Sequence, residues 1–318
     1  MKDLTQRFLR RKTVWIRPKR VRFGRKPMQH VVTRPNAPFR TSNGALEIHQ
    51  IPSWQDNLIW LLVSPDSGEA AAVDGPEADS VLEYCKTNGL RLTTIFNTHT
   101  HSDHVGINRA LQKRDQLESI RVVGPARAAA AVPGITEPVD EGDTVTFSGA
   151  SARVLLTEGH INGHISFVFD DVLFCGDTLF GGGCGYLFDG PPEKMYASLH
   201  RLKALDGATR VCCAHEYTQD NLRFAWSVEP ENGALAERIR GVWSVRARGG
   251  CTVPSTIAEE CATNPFMRWA SEPLRQHVAD QMPGVPMDSD ADVFAATRAL
   301  KDTKAYRQLG DESLPLGA

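Results

Sequence analysis

Residues 98–106 read Thr-His-Thr-His-Ser-Asp-His-Val-Gly and concentrate metal-ligand side chains in one short stretch. Four ligand-type residues fall within six positions, directly after an apolar, β-branched run at 92–96: His99, His101, Asp103 and His104. Imidazole nitrogen and carboxylate oxygen together suit divalent zinc, iron or manganese. A solvated polar loop rarely holds so many ligands at this density. The stretch therefore predicts a metal site at the end of a strand.

Three further ligand-type residues follow predicted strands: His160, Asp177 and His215. Taken alone, His160 or His215 is typical of a hydrogen-bonded structural histidine. In α/β sheets, however, sites assemble at the carboxyl ends of several strands, and all of these residues lie at such ends. The seven candidates fit two metal ions that share one carboxylate.

The elements that position these residues follow from hydrophobic periodicity. We predict strands at 46–51, 57–63, 70–74, 92–96, 120–123, 144–147, 152–156, 165–169, 172–175 and 210–214, and helices at 81–88, 106–114 and 192–205. Alternation of strands and helices indicates a layered α/β core. Beyond residue 217, apolar residues recur at helical spacing. We expect an α/β catalytic domain at 44–217 and a smaller all-helical domain at 218–318.

The amino-acid composition limits the classes of protein to which the chain can belong. The chain has 318 residues, 41% hydrophobic and 23% charged, which is ordinary for a globular protein. No apolar run approaches the roughly 18 residues of a membrane span, so no membrane partner is expected. The seven cysteines are odd in number and form no CxxC pair. They are typical of reduced thiols in a cytoplasmic compartment.

The first 43 residues differ from the rest. Residues 1–42 carry 13 Lys or Arg and one acid, a net charge of +12, which leaves −14 for the remainder. Scattered prolines and the lack of a strand pattern predict a disordered basic extension at 1–43. Four hypotheses are open for this extension: a solvated tail, a transit peptide to the mitochondrial matrix, a tether to nucleic acid or an anionic surface, and translation from an upstream start codon.

From residue 44 onward the chain resembles the metallo-β-lactamase superfamily, whose THxHxDH signature stands at 98–104. Within it, the chain is most similar to the glyoxalase II (hydroxyacylglutathione hydrolase) family. That closer resemblance rests on segments in both halves: Gly-Asp-Thr-Leu-Phe at 176–180, Gly-Cys-Gly at 183–185, His-Glu-Tyr at 215–217, Val-Pro-Ser-Thr at 253–256, Asn-Pro-Phe-Met-Arg at 264–268, and Arg298 with Lys301 and Asp302. It implies an αβ/βα sandwich followed by the helical domain.

The resemblance also implies the metal ligands. It assigns one divalent ion to His99, His101 and His160, the other to Asp103, His104 and His215, with Asp177 as the bridge. Zinc is the expected metal, and iron or manganese are alternatives. The expected reaction is thioester hydrolysis in methylglyoxal detoxification, with Asp103 and Asp177 as catalytic residues. His164 falls outside this ligand set, and Asp74 matches a position that orients a ligand.

A glutathione thioester is the implied substrate. Arg298 and Lys301 are three residues apart on one predicted helix, a spacing suited to gripping a carboxylate. The resemblance places Tyr186, Phe188 and Tyr217 at the substrate as well. The family usually has Lys or Arg where this chain has Tyr186, so another thiol remains an alternative.

Other members of the superfamily define the competing hypotheses. A persulfide dioxygenase would bind one iron and consume oxygen. A nucleic-acid-processing enzyme would use the basic extension as a phosphate tether, but the charge of −14 on the body argues against a nucleic-acid partner. A non-catalytic binding module does not need seven ligands. A monomeric, cytoplasmic thioester hydrolase is the expectation.

Overall fold

The computed structural model describes residues 30–317. The strands are β1 Phe39–Arg40, β2 Glu47–Ser53, β3 Asn57–Val63, β4 Glu69–Val73, β5 Arg91–Phe96, β6 Arg121–Pro125, β7 Glu137–Val139, β8 Thr144–Phe147, β9 Ala150–Leu156, β10 Ile165–Phe169, β11 Val172–Gly176, β12 Leu179–Phe180, β13 Gly183–Cys184, β14 Arg210–Cys213 and β15 Ser255–Thr256. The helices are α1 Asp79–Asn88, α2 Gly106–Gln112, α3 Pro192–Lys203, α4 Thr218–Val228, α5 Gly233–Ala247, α6 Ile257–Thr263, α7 Glu272–Gln281 and α8 Asp290–Asp302. Across residues 30–317, every helix is too short or too polar to cross a bilayer.

Two sheets form the layers of the first half. One has seven strands in the order β1-β2-β3-β4-β5-β6-β7, and the other has six in the order β15-β14-β11-β10-β9-β8. β4, β5, β6 and β7 run parallel, whereas β1 to β4 are antiparallel. In a mixed sheet of this kind, a face that helices cover is buried.

The core between the sheets is aromatic. Phe96 of β5 packs edge-on against Phe167 and Phe169 of β10, at centroid distances of 5.1 and 5.6 Å. A separate cluster on the other face of the first sheet joins Ile59 and Ile95 to α1 and α2. All seven residues of β3 are buried, because both faces of that strand are covered. The αβ/βα sandwich inferred from the resemblance is thus the observed fold.

The second half is helical, as the apolar spacing predicted, with one exception. Ser255 and Thr256 form β15, which extends the second sheet by pairing antiparallel with β14. A two-residue strand is too short to produce a periodicity signal. Four of these helices, α5 to α8, begin at capping side chains: Asn232, Thr256, Ser271 and Ser289 each accept a backbone N–H of the first turn.

The prediction of disorder for 1–43 is wrong at its C-terminal end. Val32 is 2% exposed and belongs to the main core, and Phe39–Arg40 pairs with β2. These apolar residues are isolated between prolines and cations, so no window of sequence showed a pattern. The remainder of the predicted extension, residues 1–29, lies outside the described residues.

Candidate metal centre and adjoining cleft

The predicted ligands meet at one edge of the two sheets. The loop after β5 carries His99, His101, Asp103 and His104, and the loops after β9, β11 and β14 carry His160, Asp177 and His215. The strands are buried and hydrogen-bonded, so they hold the bases of these loops rigidly. All seven side chains fall into groups whose ligand atoms lie within 4.8 Å of one another.

Three histidines and a carboxylate form the first group. Nδ1 of His101 lies 3.2 Å from Nε2 of His99 and 3.0 Å from Nε2 of His160. Oδ2 of Asp177 lies 3.4 Å from Nε2 of His160 and 4.0 Å from Nε2 of His99. Four ligand atoms therefore converge on one point.

The second group uses the other oxygen of the same carboxylate. Oδ1 of Asp177 lies 3.5 Å from Nε2 of His104 and 3.5 Å from Nε2 of His215. Oδ2 of Asp103 lies 3.6 and 3.5 Å from the same two nitrogens. Asp177 thus stands between the two groups with one oxygen facing each.

The donor set fits divalent cations. Nε2 of His104 and Oδ1 of Asp177 are buried and have no hydrogen-bond partner among the described residues. Leaving buried polar atoms unpaired is costly, and a cation coordinated by both atoms would remove that cost. Imidazole nitrogen and carboxylate oxygen face both positions, and these are atoms that bind zinc, iron and manganese.

Burial and charge act differently on the two groups of ligands: against the effect of burial, Asp177 and Asp74 raise the pKa of His104 well above its usual range, so a metal ion bound there would displace a proton. Burial lowers the pKa of His99 and His160, so both imidazoles are neutral, as ligands must be. Burial opposes ionisation of Asp177, but His104 and His215 outweigh it and hold the pKa of this carboxyl well below its usual range. The carboxylate between the two groups is therefore anionic.

Asp74 orients one side of the centre. Its Oδ2 accepts a hydrogen bond from Nδ1 of His104 at 2.9 Å and from the Thr98 hydroxyl at 2.6 Å, and its Oδ1 accepts from the Thr98 backbone N–H at 2.8 Å. With Nδ1–H donated to Asp74, Nε2 of His104 is free to face a metal. This is the orienting position that the resemblance implied for Asp74.

The sequence analysis missed the turn between β2 and β3, together with Asn57, the first residue of β3. Oδ1 of Asp56 accepts a hydrogen bond from Nδ1 of His215 at 2.8 Å, and Nδ2 of Asn57 donates to Oδ2 of Asp103 at 3.1 Å. Asp-Asn in a hairpin is the usual chemistry of a turn. Its type and spacing therefore gave no hint of a role at the ligands.

His164 lies behind the centre. Its Nε2 accepts the backbone N–H of Asp177 at 3.2 Å, and its Nδ1 lies 3.0 Å from the hydroxyl of Thr157. It is fully buried and is absent from every group of candidate ligands. Its contacts position the backbone of the central carboxylate.

A cleft of about 430 Å³ adjoins the centre. Its lining includes Tyr186, Tyr217, Arg298 and Lys301, so the structure brings together four of the five predicted substrate residues. The ring of Tyr217 stacks on His215 at 4.7 Å with an interplanar angle of 5°. The cleft therefore opens directly beside the second metal group.

Phe188 takes a different place. Its ring lies edge-on to His101 and His160, at centroid distances of 5.3 and 5.2 Å, and 60% of the residue is exposed. It does not line the cleft. It forms an apolar wall beside the first metal group.

Two of the four cationic residues that line the cleft, Arg298 and Lys301, are held in place on α8; the others are Lys304 and Arg307. Arg298 donates to the backbone oxygen of Cys184 at 3.3 Å and pairs with Asp302, while Nζ of Lys301 donates to Oδ1 of Asn221. Burial, reinforced by Arg298, lowers the pKa of Lys301 to about 7. Within this pair, Arg298 is a permanent cation, whereas Lys301 titrates near neutral pH.

Two family models match the chain, and they divide it between them. Residues 66–215 match the metallo-beta-lactamase superfamily, and residues 216–304 match the C-terminus of hydroxyacylglutathione hydrolase. The first match ends at His215, the last candidate ligand. The second begins at Glu216 and includes Arg298 and Lys301 of the cleft.

Whole-chain relatives agree with these matches. A hydroxyacylglutathione hydrolase of Methylococcus capsulatus is 48% identical over 81% of this chain and 98% of its own length. That of Gloeobacter violaceus is 47% identical over 80% of this chain and 98% of its own length. Among solved structures, ETHE1 from Myxococcus xanthus is 25% identical, with a TM-score of 0.51 over 83% of this chain and 98% of that one.

Proposed function

This chain belongs to the hydroxyacylglutathione hydrolase family of the metallo-β-lactamase superfamily, and from that premise we propose that it hydrolyses S-D-lactoylglutathione to D-lactate and glutathione. In the proposed reaction, a water oxygen forms a bond to the thioester carbonyl carbon. The C–S bond then breaks, and the electron pair leaves with the thiolate of glutathione. Removal of this thioester is the hydrolytic step of methylglyoxal detoxification.

The observation that carries the proposal is the shared carboxylate beside a cationic cleft. Asp177 faces three histidines with one oxygen and faces His104 and His215 with the other. We infer two divalent ions per chain, zinc by preference and iron or manganese as alternatives. Ions held there would supply Lewis acidity, which lowers the pKa of water toward neutrality and polarises a carbonyl oxygen.

Asp103 is the proposed residue that orients the attacking water. Its side chain is 27% exposed, whereas those of His104 and His215 are 0% and 4% exposed. Asn57 donates to Oδ2 of Asp103, so the other carboxylate oxygen is left for a hydrogen bond from water. Asp177, whose side chain is 10% exposed, would join the two halves of the centre by facing each with one oxygen.

The cleft is proposed to bind the thiol half of the substrate. Arg298 and Lys301 are both buried; Arg298 is a permanent cation, and Lys301 is cationic below about pH 7. They suit the glycine carboxylate of glutathione, because charge-assisted hydrogen bonds are the strong ones. Tyr217, stacked on His215, would direct the sulfur toward the metals. Phe188 would wall the acyl side, and Tyr186 would contribute a hydroxyl at the rim in place of a cation.

The cellular setting is also a proposal. All seven cysteines lie within residues 30–317, and none is in a disulfide, which fits a reducing compartment such as the cytoplasm. We propose a monomer there, with a glutathione thioester rather than nucleic acid as its partner.

Hydrolysis of S-D-lactoylglutathione by the purified full chain tests this function. Release of D-lactate and free thiol in equal amounts is the expected result. The same lactoyl group carried on coenzyme A or on N-acetylcysteamine should react far more slowly, because neither thiol presents a glycine carboxylate. Equal rates on all three thioesters would refute the glutathione assignment. Oxygen uptake with glutathione persulfide, in place of thioester hydrolysis, would support the dioxygenase alternative.

A further inference from the structure

Residues 30–36 connect the N-terminal part of the chain to the turn that supports the metal centre; we call this segment the strap. The backbone N–H of Val31 donates to the oxygen of Gln55 at 2.7 Å. Nε2 of His30 donates to the backbone oxygen of Asn57 at 2.9 Å. The strap therefore grips the β2–β3 turn at two points.

The state of His30 is defined by its partners. Nδ1 accepts the backbone N–H of Val32 at 2.7 Å, while Nε2 faces the carbonyl of Asn57. Nε2 is therefore the nitrogen of this ring that donates to the turn, while Nδ1 faces the strap's own backbone. Val32, 2% exposed, fixes this arrangement by anchoring the strap in the core.

The β2–β3 turn and Asn57, to which the strap is bonded, hold two of the candidate ligands. Asp56 accepts from Nδ1 of His215 at 2.8 Å, and Asn57 donates to Asp103 at 3.1 Å. The Asp56 carbonyl also accepts the backbone N–H of Glu216 at 3.0 Å. His30 is therefore one residue removed from Asp103, through Asn57.

The far end of the strap is anchored without touching the turn. The backbone N–H groups of Thr33 and Arg34 donate to the oxygen of Gly249 at 3.0 and 2.9 Å, and Nδ2 of Asn36 donates to the oxygen of Val253 at 2.7 Å. These contacts tie the strap to a loop of the second half. A substitution at Asn36 therefore removes a bond of the strap without removing a bond to the β2–β3 turn, and it can be compared with a substitution at His30.

We propose that His30 is a positioning residue for the second metal group, acting through Asn57 and the β2–β3 turn. The inference rests on the proposed function, because it concerns the same centre. Holding the Asn57 backbone fixes where the Asn57 amide points, and that amide restrains Asp103. Partners that orient a ligand directly change metal affinity about 10- to 100-fold; His30 acts one step further out, so about a 3- to 10-fold effect is expected.

The test compares full-length His30→Ala, His30→Gln, Asn36→Ala and His277→Ala. His277 is a partly exposed histidine on α7 that bonds the Pro273 oxygen of its own helix, so it is the matched control. Zinc affinity is measured by competition with a chelator, without substrate, and unfolding of the metal-free proteins is measured in urea. His30→Ala should weaken the more weakly held zinc about 3- to 10-fold and lower kcat with KM unchanged.

His30→Gln retains an N–H donor and should restore most of the affinity. Asn36→Ala should shift the urea midpoint as much as His30→Ala does, yet leave zinc affinity at the wild-type value. The proposal is overturned if His30→Ala binds zinc like wild type, or if Asn36→Ala loses as much affinity for the same shift in midpoint. If none of the proteins hydrolyses the thioester while the zinc results hold, the proposed function fails and the positioning role stands.

Discussion

Lys301 gives the cleft a pH dependence that can be predicted with its sign. The residue is 7% exposed, and burial together with Arg298 lowers its pKa to about 7. Below that pH it is an ammonium that binds a carboxylate strongly; above it, the neutral amine does not. The advantage of having Lys301 is therefore fully present below about pH 7 and is lost as the pH rises through that value.

The substitution Lys301→Met measures this advantage, because methionine keeps an unbranched side chain and removes the charge. A hydrogen bond to a charged group contributes about 1.5–3 kcal/mol, which corresponds to about a 10- to 150-fold change in kcat/KM. We expect the ratio of wild-type to variant kcat/KM for S-D-lactoylglutathione to be in that range at pH 6. By pH 9 the ratio should have fallen toward one.

The assay is kcat/KM from pH 5.5 to 9, since that quantity reports ionisations of the free enzyme. Ionisations at the metal centre affect both proteins equally and cancel in the ratio. Lys86→Met, at an exposed position near the end of α1, is the control and should match wild type throughout. A ratio that stays constant from pH 6 to pH 9, or never exceeds about twofold, would refute the reasoning.

Three further substitutions test other parts of the molecule. Asp74→Ala removes the acceptor of Nδ1 of His104 and should weaken metal binding about 10- to 100-fold; unchanged affinity in a chelator titration would contradict the orienting role. Glu260→Gln leaves the buried guanidinium of Arg238 with only the half-exposed Glu259 as an anionic partner, so urea unfolding should show a loss of about 3–5 kcal/mol, and a loss below 1 kcal/mol would be inconsistent with a buried pair. Tyr186→Lys adds a cation at a position that is 52% exposed, where pairing contributes up to about 1 kcal/mol; KM for the glutathione thioester should fall no more than about fivefold, and a rise in KM would show that Tyr186 itself binds the thiol.

The main strands and the ligand loops could be predicted because their signals are local. Apolar runs at β5, β9, β11 and β14 stand out against polar turns, and the ligand-type residues that follow their carboxyl ends are expected to meet at one edge. The separation of the ligands into two groups did not follow from the residues alone. It depends on which oxygen of Asp177 faces which histidine, a matter of side-chain geometry in three dimensions.

What could not be predicted depends on contacts between distant segments. Asp56 and Asn57 look like an ordinary hairpin turn until the fold brings His215 beside them, 159 residues later in the chain than Asp56. The strap gives no signal in the sequence either, because each of its bonds uses a backbone group on at least one side, and every residue supplies such groups. Phe188 was expected at the substrate with Tyr186, but the chain direction after Gly185 turns it against the metal ligands. Its substrate role, like those of the other cleft residues, stays a prediction.

The number of metal ions bound per chain tests the central claim most directly. Metal-free protein is titrated with zinc, and bound metal and thioester hydrolysis are followed in the same samples, for wild type and for Asp177→Ala. Two ions per wild-type chain are expected, with full activity only after the second binds, and loss of both the second ion and the activity in the variant. A wild-type chain that saturates at one ion, or a variant that binds two ions and hydrolyses the thioester normally, would contradict a centre built around the shared carboxylate of Asp177.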